Sequence, residues 1–232
     1  MKIEVLFPEM CNLFGDLKSM DYLALCLPEA EFIRTSYSTE PLFVTESPSL
    51  IYMGPMSENA QEKVIQKLMP YRERLAELIE NGSPFFFTGN AVEILGHYIE
   101  KDDGSRLAAL DILPIWAKRD MMHRHNSKFV GQYEGNTIVG FKSQFTMAYT
   151  DTDIYPLFTV EKGIGLNEKL KYEGIRKNNF FGTYVQGPLL VLNPEFTKNL
   201  LTIMGLSNPT LAFEKEVSDA YLALLQDFKD KG

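Results

Sequence analysis

Apolar positions in the first 96 residues fall into short runs and long periodic stretches that alternate. Residues 2–6 form a mostly apolar run ahead of Pro8 and predict a first strand. After the turn-like segment Asn12-Leu13-Phe14-Gly15-Asp16, the residues Leu17, Met20, Leu23 and Ala24 recur at helical spacing, predicting a helix to about Leu27. Residues 31–36 and 49–53 predict two further strands, the second broken by Gly54-Pro55. Residues 57–81 are the longest helical stretch, with Val64, Leu68, Leu75, Leu78 and Ile79 on one face and Asn81-Gly82 as the stop. Pro70 lies inside it, so the spacing predicts a kink or two helices. Phe85, Phe86 and Phe87 then read as a buried strand. Thr88-Gly89-Asn90 make a sharp turn, and residues 91–95 begin a short helix that stops at Gly96. Strands alternating with helices predict an α/β fold with a mostly parallel, doubly wound sheet of flavodoxin-like type.

The pattern changes after Gly96. Residues 112–117, 127–133, 137–142 and 180–185 are short β-type runs between Gly-rich turns, among them Glu134-Gly135-Asn136 and Lys162-Gly163. They predict an antiparallel or mixed extension of the sheet built from hairpins. Two helices are expected to close the chain, after Asn193-Pro194 and after Asn208-Pro209, with Asn as cap and Pro at the first helical position. Phe213, Val217, Ala220, Tyr221, Leu224 and Phe228 would form the apolar face of the last one. No repeat or composition break marks a linker, so residues 1–232 read as a single domain.

Composition narrows the partners more than the fold. The 232 residues are 45% hydrophobic, enough for a sizeable core. The net charge of -8 and pI near 5.0 argue against a nucleic-acid binder. No apolar run approaches the roughly 20 residues of a membrane span. The opening decapeptide, with its acidic residues, is not expected to be a secretory signal. The neighbourhood of Cys11 and Cys26 reads as one helix, which would hold them too far apart to pair, so free thiols in a reducing cytoplasm are expected.

Candidate chemistry centres on the turn at residue 89. A strand that turns at Gly into a helix start exposes backbone N–H groups at the mouth of a sheet. In a nucleophile elbow the tip is Ser or Cys. Here it is Gly89. Gly89 either permits the tight turn with Asn90 capping the helix, or leaves a site for an anion or carbonyl at the same N–H groups. Thr88 has no His beside it in sequence to act as its base. Glu93, in the first turn, either meets a cationic group or is solvated. His123 and His125 flank Arg124, with Lys128 nearby, and three readings stand: a metal pair, an anion site, or a solvated loop. No metal site is assigned. His97 has no evident partner.

Several of these stretches together resemble the class I (triad-type) glutamine amidotransferases. The cobyric-acid-synthase-like branch, which includes the glutaminase subunit of bacterial lipid II isoglutaminyl synthase, is the one they resemble. The segment from Phe7 to Asp16 is similar to the family's opening YP-x-x-x-N-L-Y-G-D. Tyr52-Met53-Gly54-Pro55 occupies the place of its Gly-rich loop, and residues 87–96 that of its C-G-G-x-Q-x-L-G elbow. Residues 113–132 and 140–149 follow its middle hairpins. Phe181-Gly182-Thr183-Tyr184-Val185-Gln186-Gly187-Pro188-Leu189-Leu190 fits its G-S/T-Y-x-H-G-P-x-L segment. The likeness covers about residues 3 to 205.

In that family the elbow Cys attacks the glutamine carboxamide, a His on the last strand activates it, and ammonia is released. The resemblance puts Gly89 at the Cys position and Gln186 at the His position. The E-x-H that helps line the glutamine pocket falls on Lys142-Ser143-Gln144. No catalytic residue is therefore assigned. The resemblance implies a scaffold that has lost glutaminase chemistry, needs no cofactor, and acts as a binding or regulatory subunit. The implied partners are a Mur-ligase-like synthetase and a small ligand in the old pocket. The ligand candidates are Gly54, Thr88, Gly89, Asn90, Glu93, Lys142, Ser143, Gln144 and Gln186, with His123, Arg124 and His125 from the polar stretch. Two alternatives stay open. One is a working amidotransferase, or other hydrolase or transferase, that recruits Glu93, His123, His125 or Cys11. The other is a small-molecule sensor with no partner.

Overall fold

The computed structural model describes residues 1–230. Four strands, β1 (Lys2–Leu6), β2 (Glu31–Thr35), β3 (Leu50–Met53) and β4 (Phe85–Thr88), lie parallel. Helices α1 (Lys18–Cys26), α2 (Glu58–Leu68) and α3 (Arg72–Glu80) connect them. The Ser57 side chain caps α2 by accepting from the Ala60 N–H at 3.3 Å. Pro70 divides α2 from α3 through a 3-10 turn over Met69–Tyr71, because a proline cannot donate to the helical ladder. All four residues of β4 are buried. Phe85 and Phe87 enter the core on one side of the sheet and Phe86 the core on the other, as the two-residue period of a strand requires. That is why this strand reads as an unbroken apolar run.

Cys11 corrects one expectation. It sits in the loop after β1, its N–H bonded to the Phe7 carbonyl, and α1 begins only at Lys18. A loop rather than a shared helix separates it from Cys26, and both are free thiols. The segment after β4 is a short helix as expected: Gly89–Leu95 form a seven-residue 3-10 helix that ends at Gly96.

Beyond it the chain is β-rich. It forms β5 (Tyr98–Glu100), β6 (Arg106–Ala108), β7 (Trp116–Arg119), β8 (His125–Tyr133), β9 (Asn136–Gln144), β10 (Thr146–Tyr149), β11 (Phe158–Lys162), β12 (Tyr172–Glu173), β13 (Ile175–Lys177) and β14 (Phe180–Thr183). The main sheet has the order β13-β14-β4-β3-β1-β2, parallel except for the antiparallel edge strand β13. The other strands form two four-stranded sheets, β10-β7-β5-β6 and β12-β11-β8-β9. Glu134 and Gly135, at φ 47° and 83°, make the tight two-residue turn that joins β8 to β9. Residues 112–115 are not strand: Ile112 and Leu113 both donate to the Leu95 carbonyl, and pairing starts at Trp116.

α4 (Leu189–Leu192), α5 (Pro194–Ile203) and α6 (Glu214–Asp230) complete the chain. α6 starts at Glu214 rather than at Pro209. Val217 and Phe228 are buried, with Tyr221 and Leu224 packed against the core near Val130 and Val139, while Phe213 and Ala220 stay exposed. No helix among the described residues is long and apolar enough to cross a membrane.

Candidate functional site

Ligand sites in open α/β sheets lie beyond the carboxyl ends of the parallel strands. Here the ends of β3, β4 and β14 bring Pro55, Gly89 and Gln186 together. Gly89 adopts φ +59°, the left-handed backbone that an elbow tip uses. There is no room there for a side chain. An ideal Cβ on Gly89 would lie 2.5 Å from the Pro55 Cβ and 3.0 Å from the Gln186 Nε2. Pro55 fills the slot that a nucleophile would occupy. Asn90 holds it there: its side-chain oxygen accepts from the Met56 N–H at 2.9 Å, and its amide donates to the Met56 carbonyl at 2.8 Å. Asn90 therefore staples the loop carrying Pro55 and does not cap the turn, which has no side-chain cap.

The proposed ligand residues divide by burial. Thr88 is buried and donates to Asp16, which also accepts from the Tyr52 hydroxyl at 2.7 Å. Burial pushes the Asp16 carboxyl above its usual range, against the pull of those two bonds. Gly54 packs under the same network; a Cβ there would meet the Cys11 carbonyl at 2.6 Å. Glu93 is neither solvated nor paired with a cation. It accepts from Gln61 Nε2 at 2.8 Å and the Tyr184 hydroxyl at 2.9 Å, and burial raises its pKa to about 7. Gln61 in turn accepts from Arg119 Nη2 at 2.9 Å, and Arg119 Nη1 donates to Glu62 at 2.9 Å. Lys142 is buried behind the β9 strand, donating to the Ile164 and Gly165 carbonyls, with Glu173 at 3.7 Å. Burial lowers its pKa to about 8.

A cavity of about 230 Å³ opens beside the plugged elbow, between the Pro55–Glu58 loop and the β9–β10 turn. Asn90, Ser143, Gln144 and Gln186 line it, as does Arg124. The Gln144 amide donates to the Thr146 carbonyl at 2.5 Å, yet its oxygen is buried with no donor among the described residues, and so is the oxygen of Gln186. A buried acceptor without a partner costs about 1–3 kcal/mol, and these two belong to residues that line one cavity. Arg124 lies over the Phe145 ring at 4.5 Å and has no carboxylate partner among the described residues. Glu58, on the opposite wall, likewise forms no ion pair among them.

Arg124 is the one member of the polar stretch that reaches this cavity. His123 is exposed and paired with Asp120 at 2.8 Å. His125 starts β8 and faces Glu168 at 3.9 Å beside a different cavity. Lys128 pairs with Asp227 at 3.2 Å. No group of metal-ligating side chains gathers among the described residues. Cys11 is buried against the Met56 sulfur at 3.8 Å, and burial pushes its thiol up to about 12. Sequence reading overlooked Glu58, Gln61 and Arg119. Glu58 directly follows the Ser57 cap and was findable; nothing in the spacing marked Arg119. The cavity can bind by charge and hydrogen bonds, and its lining offers no thiol.

Comparison with known proteins places the chain in a family. A family profile described as CobB/CobQ-like glutamine amidotransferase domain matches residues 2–194. The chain is 30% identical over 152 residues to the glutamine-hydrolyzing lipid II isoglutaminyl synthase subunit GatD of Staphylococcus aureus, covering 66% of this chain and 62% of that one. It is 23% identical over 211 residues to the same subunit of Streptococcus pneumoniae, covering 87% and 79%. Among solved structures, a glutamine amidotransferase aligns with TM-score 0.57 at 13% identity, over 88% of this chain and 99% of the other. A second one, from Thermotoga maritima, aligns with TM-score 0.56 at 14% identity, over 98% and 97%. At those identities the two structures speak for the fold alone.

Proposed function

The chain belongs to the CobB/CobQ-like glutamine amidotransferase family, and on that premise we propose that it is a binding or regulatory subunit without glutaminase activity. It would work in the cytoplasm beside a Mur-ligase-like synthetase, in an assembly of the lipid II isoglutaminyl synthase kind named for its relatives. The observation that carries this reading is the closed elbow tip: Gly89 has no side chain, and Pro55 occupies the volume one would need. Hydrolysis of an amide through a covalent intermediate needs a nucleophile beside a base. Gln186, within reach of that slot, cannot exchange a proton near neutral pH. The residues an alternative enzyme would recruit also count against it, since Glu93, His123, His125 and Cys11 do not line the cavity.

The test is ammonia release from glutamine by the purified chain, alone and with a co-expressed Mur-ligase-type synthetase. We expect none above the blank in either case, with the synthetase co-purifying. Release that survives removal of contaminating glutaminases, and that is lost in Gln186→Ala, would overturn the proposal.

A further inference from the structure

We propose a second ligand site, on the outer face of the β10-β7-β5-β6 sheet, that takes a planar nitrogen heterocycle of nucleobase type by stacking it on Tyr149. The inference is independent of the elbow and of the reading just given. Alternate residues of these strands divide cleanly. Ile99, Ala117 and Ala148 point into the core, so Tyr98, Trp116 and Tyr149 share the opposite face. There they form a ladder across three strands. Tyr98 stacks on Trp116 at 5.6 Å and 17°, and Trp116 on Tyr149 at 4.6 Å and 20°. The Arg106 guanidinium closes one end, 4.3 Å over the Tyr98 ring. The other end is Tyr149, on the edge strand β10, and it is not closed by any ring or cation among the described residues.

Tyr149 instead lines a cavity of about 280 Å³ between this sheet face and residues 167–169. Phe145 and Met147, the preceding residues on the same face of the chain, add apolar surface. The rim carries acceptors, Asp120 and Glu168, and donors, Lys118, Lys169 and His125. Lys169 has no ion-pair partner among the described residues. Two lysines against two carboxylates leave no net charge to favour a polyanion, whereas the edge of a nitrogen heterocycle offers donors and acceptors together. The volume is close to the lower end of small-molecule sites, roughly 300 Å³, which suits a base or nucleoside.

Trp116 is the sole tryptophan of the chain and lies directly against Tyr149, so its fluorescence reports on the site. Adenosine, AMP, inorganic phosphate and N-acetylglucosamine are titrated in turn, with excitation at the red edge of indole absorption. The expected result is a saturable change with adenosine, a similar affinity for AMP, and no change with phosphate or the sugar. Tyr149→Leu should weaken adenosine binding at least about fivefold, the low end of aromatic–base stacking. If that variant does not fold, the exposed charge reversals Glu168→Lys and Lys169→Glu serve instead, each expected to weaken binding by about fivefold. No saturable response to adenosine, a response to the sugar alone, or binding unchanged in the folded variants overturns the proposal.

Discussion

Replacing Gly89 with Ala tests the closed elbow directly, because the structure fixes both parts of its cost. At φ +59° a residue with a Cβ pays about 1–2 kcal/mol for the left-handed backbone. The same Cβ is driven into the Pro55 ring at 2.5 Å, an overpacking that costs about 1–3 kcal/mol. Reduced freedom of the unfolded chain returns about 0.4–1 kcal/mol. The net expectation is a loss of about 1–5 kcal/mol, with the melting temperature falling about 2–4 °C for each of those. Urea unfolding of four proteins separates the parts: the natural chain, Gly89→Ala, Pro55→Gly and the double variant. The clash vanishes when Pro55 loses its ring, while the backbone term stays. The double-mutant coupling should therefore be about 1–3 kcal/mol in favour of the pair. A neutral Gly89→Ala, or a coupling below about 0.5 kcal/mol, would refute the claim that Pro55 occupies the slot. The same reasoning says that Gly89→Cys with Gln186→His gains no glutaminase activity unless Pro55→Gly is added.

Two buried charges give further expectations. Glu93 has a folded pKa of about 7 against an ordinary 4.5, so the native state holds its proton longer than the unfolded chain does. Its contribution to stability is thus fullest below pH 4.5 and declines as pH rises from there to about 7. Glu93→Gln should flatten that slope in urea titrations across this window and raise stability at pH 8; an unchanged slope would count against burial as the cause. Lys142→Met leaves the Glu173 carboxylate buried without its cation and should cost about 3–5 kcal/mol. Methionine keeps the length and apolar body of the stem, so a loss under about 1 kcal/mol in thermal melts would mean the pair is not coupled.

The parallel half of the fold was legible because each strand and helix carries its own period. The Pro70 break and the Phe85–Phe87 strand follow from residues within the element. The β-rich half was less so. Its hairpins were visible in Glu134-Gly135, but short strands carry no label for their sheet, and only β13 and β14 of the later strands joined the main one. Asn208-Pro209 had the chemistry of a helix start, yet α6 begins only at Glu214, and its apolar face meets Val130 and Val139 from Tyr221 onward. At the site, the motif pointed to Gly89 and Gln186, and the strand ends bring the two together. What fills the space at Gly89 was not legible, because Pro55 comes to it from the neighbouring end of β3 rather than by spacing. Lys142 misled for the same reason: a charge in a pocket motif points to the pocket only if the register turns it that way.

The manner in which the elbow is closed bears on whether it is a relic. Removing a side chain from a packed site leaves a void, and a void of even modest size is destabilising. No such void stands at Gly89. The Pro55 ring takes the volume, and Asn90 fixes that ring through both backbone groups of Met56. Where a side chain at the elbow tip would stand, the space is filled with matched packing. Two steps away the opposite holds. Among the described residues, the oxygens of Gln144 and Gln186 are buried without donors, and Arg124 and Glu58 line the cavity without ion-pair partners. Such groups cost stability until a donor reaches them, and a bound molecule toward which the two amides turn would supply one. A pocket that had only decayed would have no reason to keep its packing in order and its polar wall unsatisfied. The combination is what the proposed binding role would require. It also sets a measurable consequence: a ligand that satisfies both oxygens should raise the melting temperature of the natural chain, and the gain should shrink when Gln144 and Gln186 are replaced by leucine.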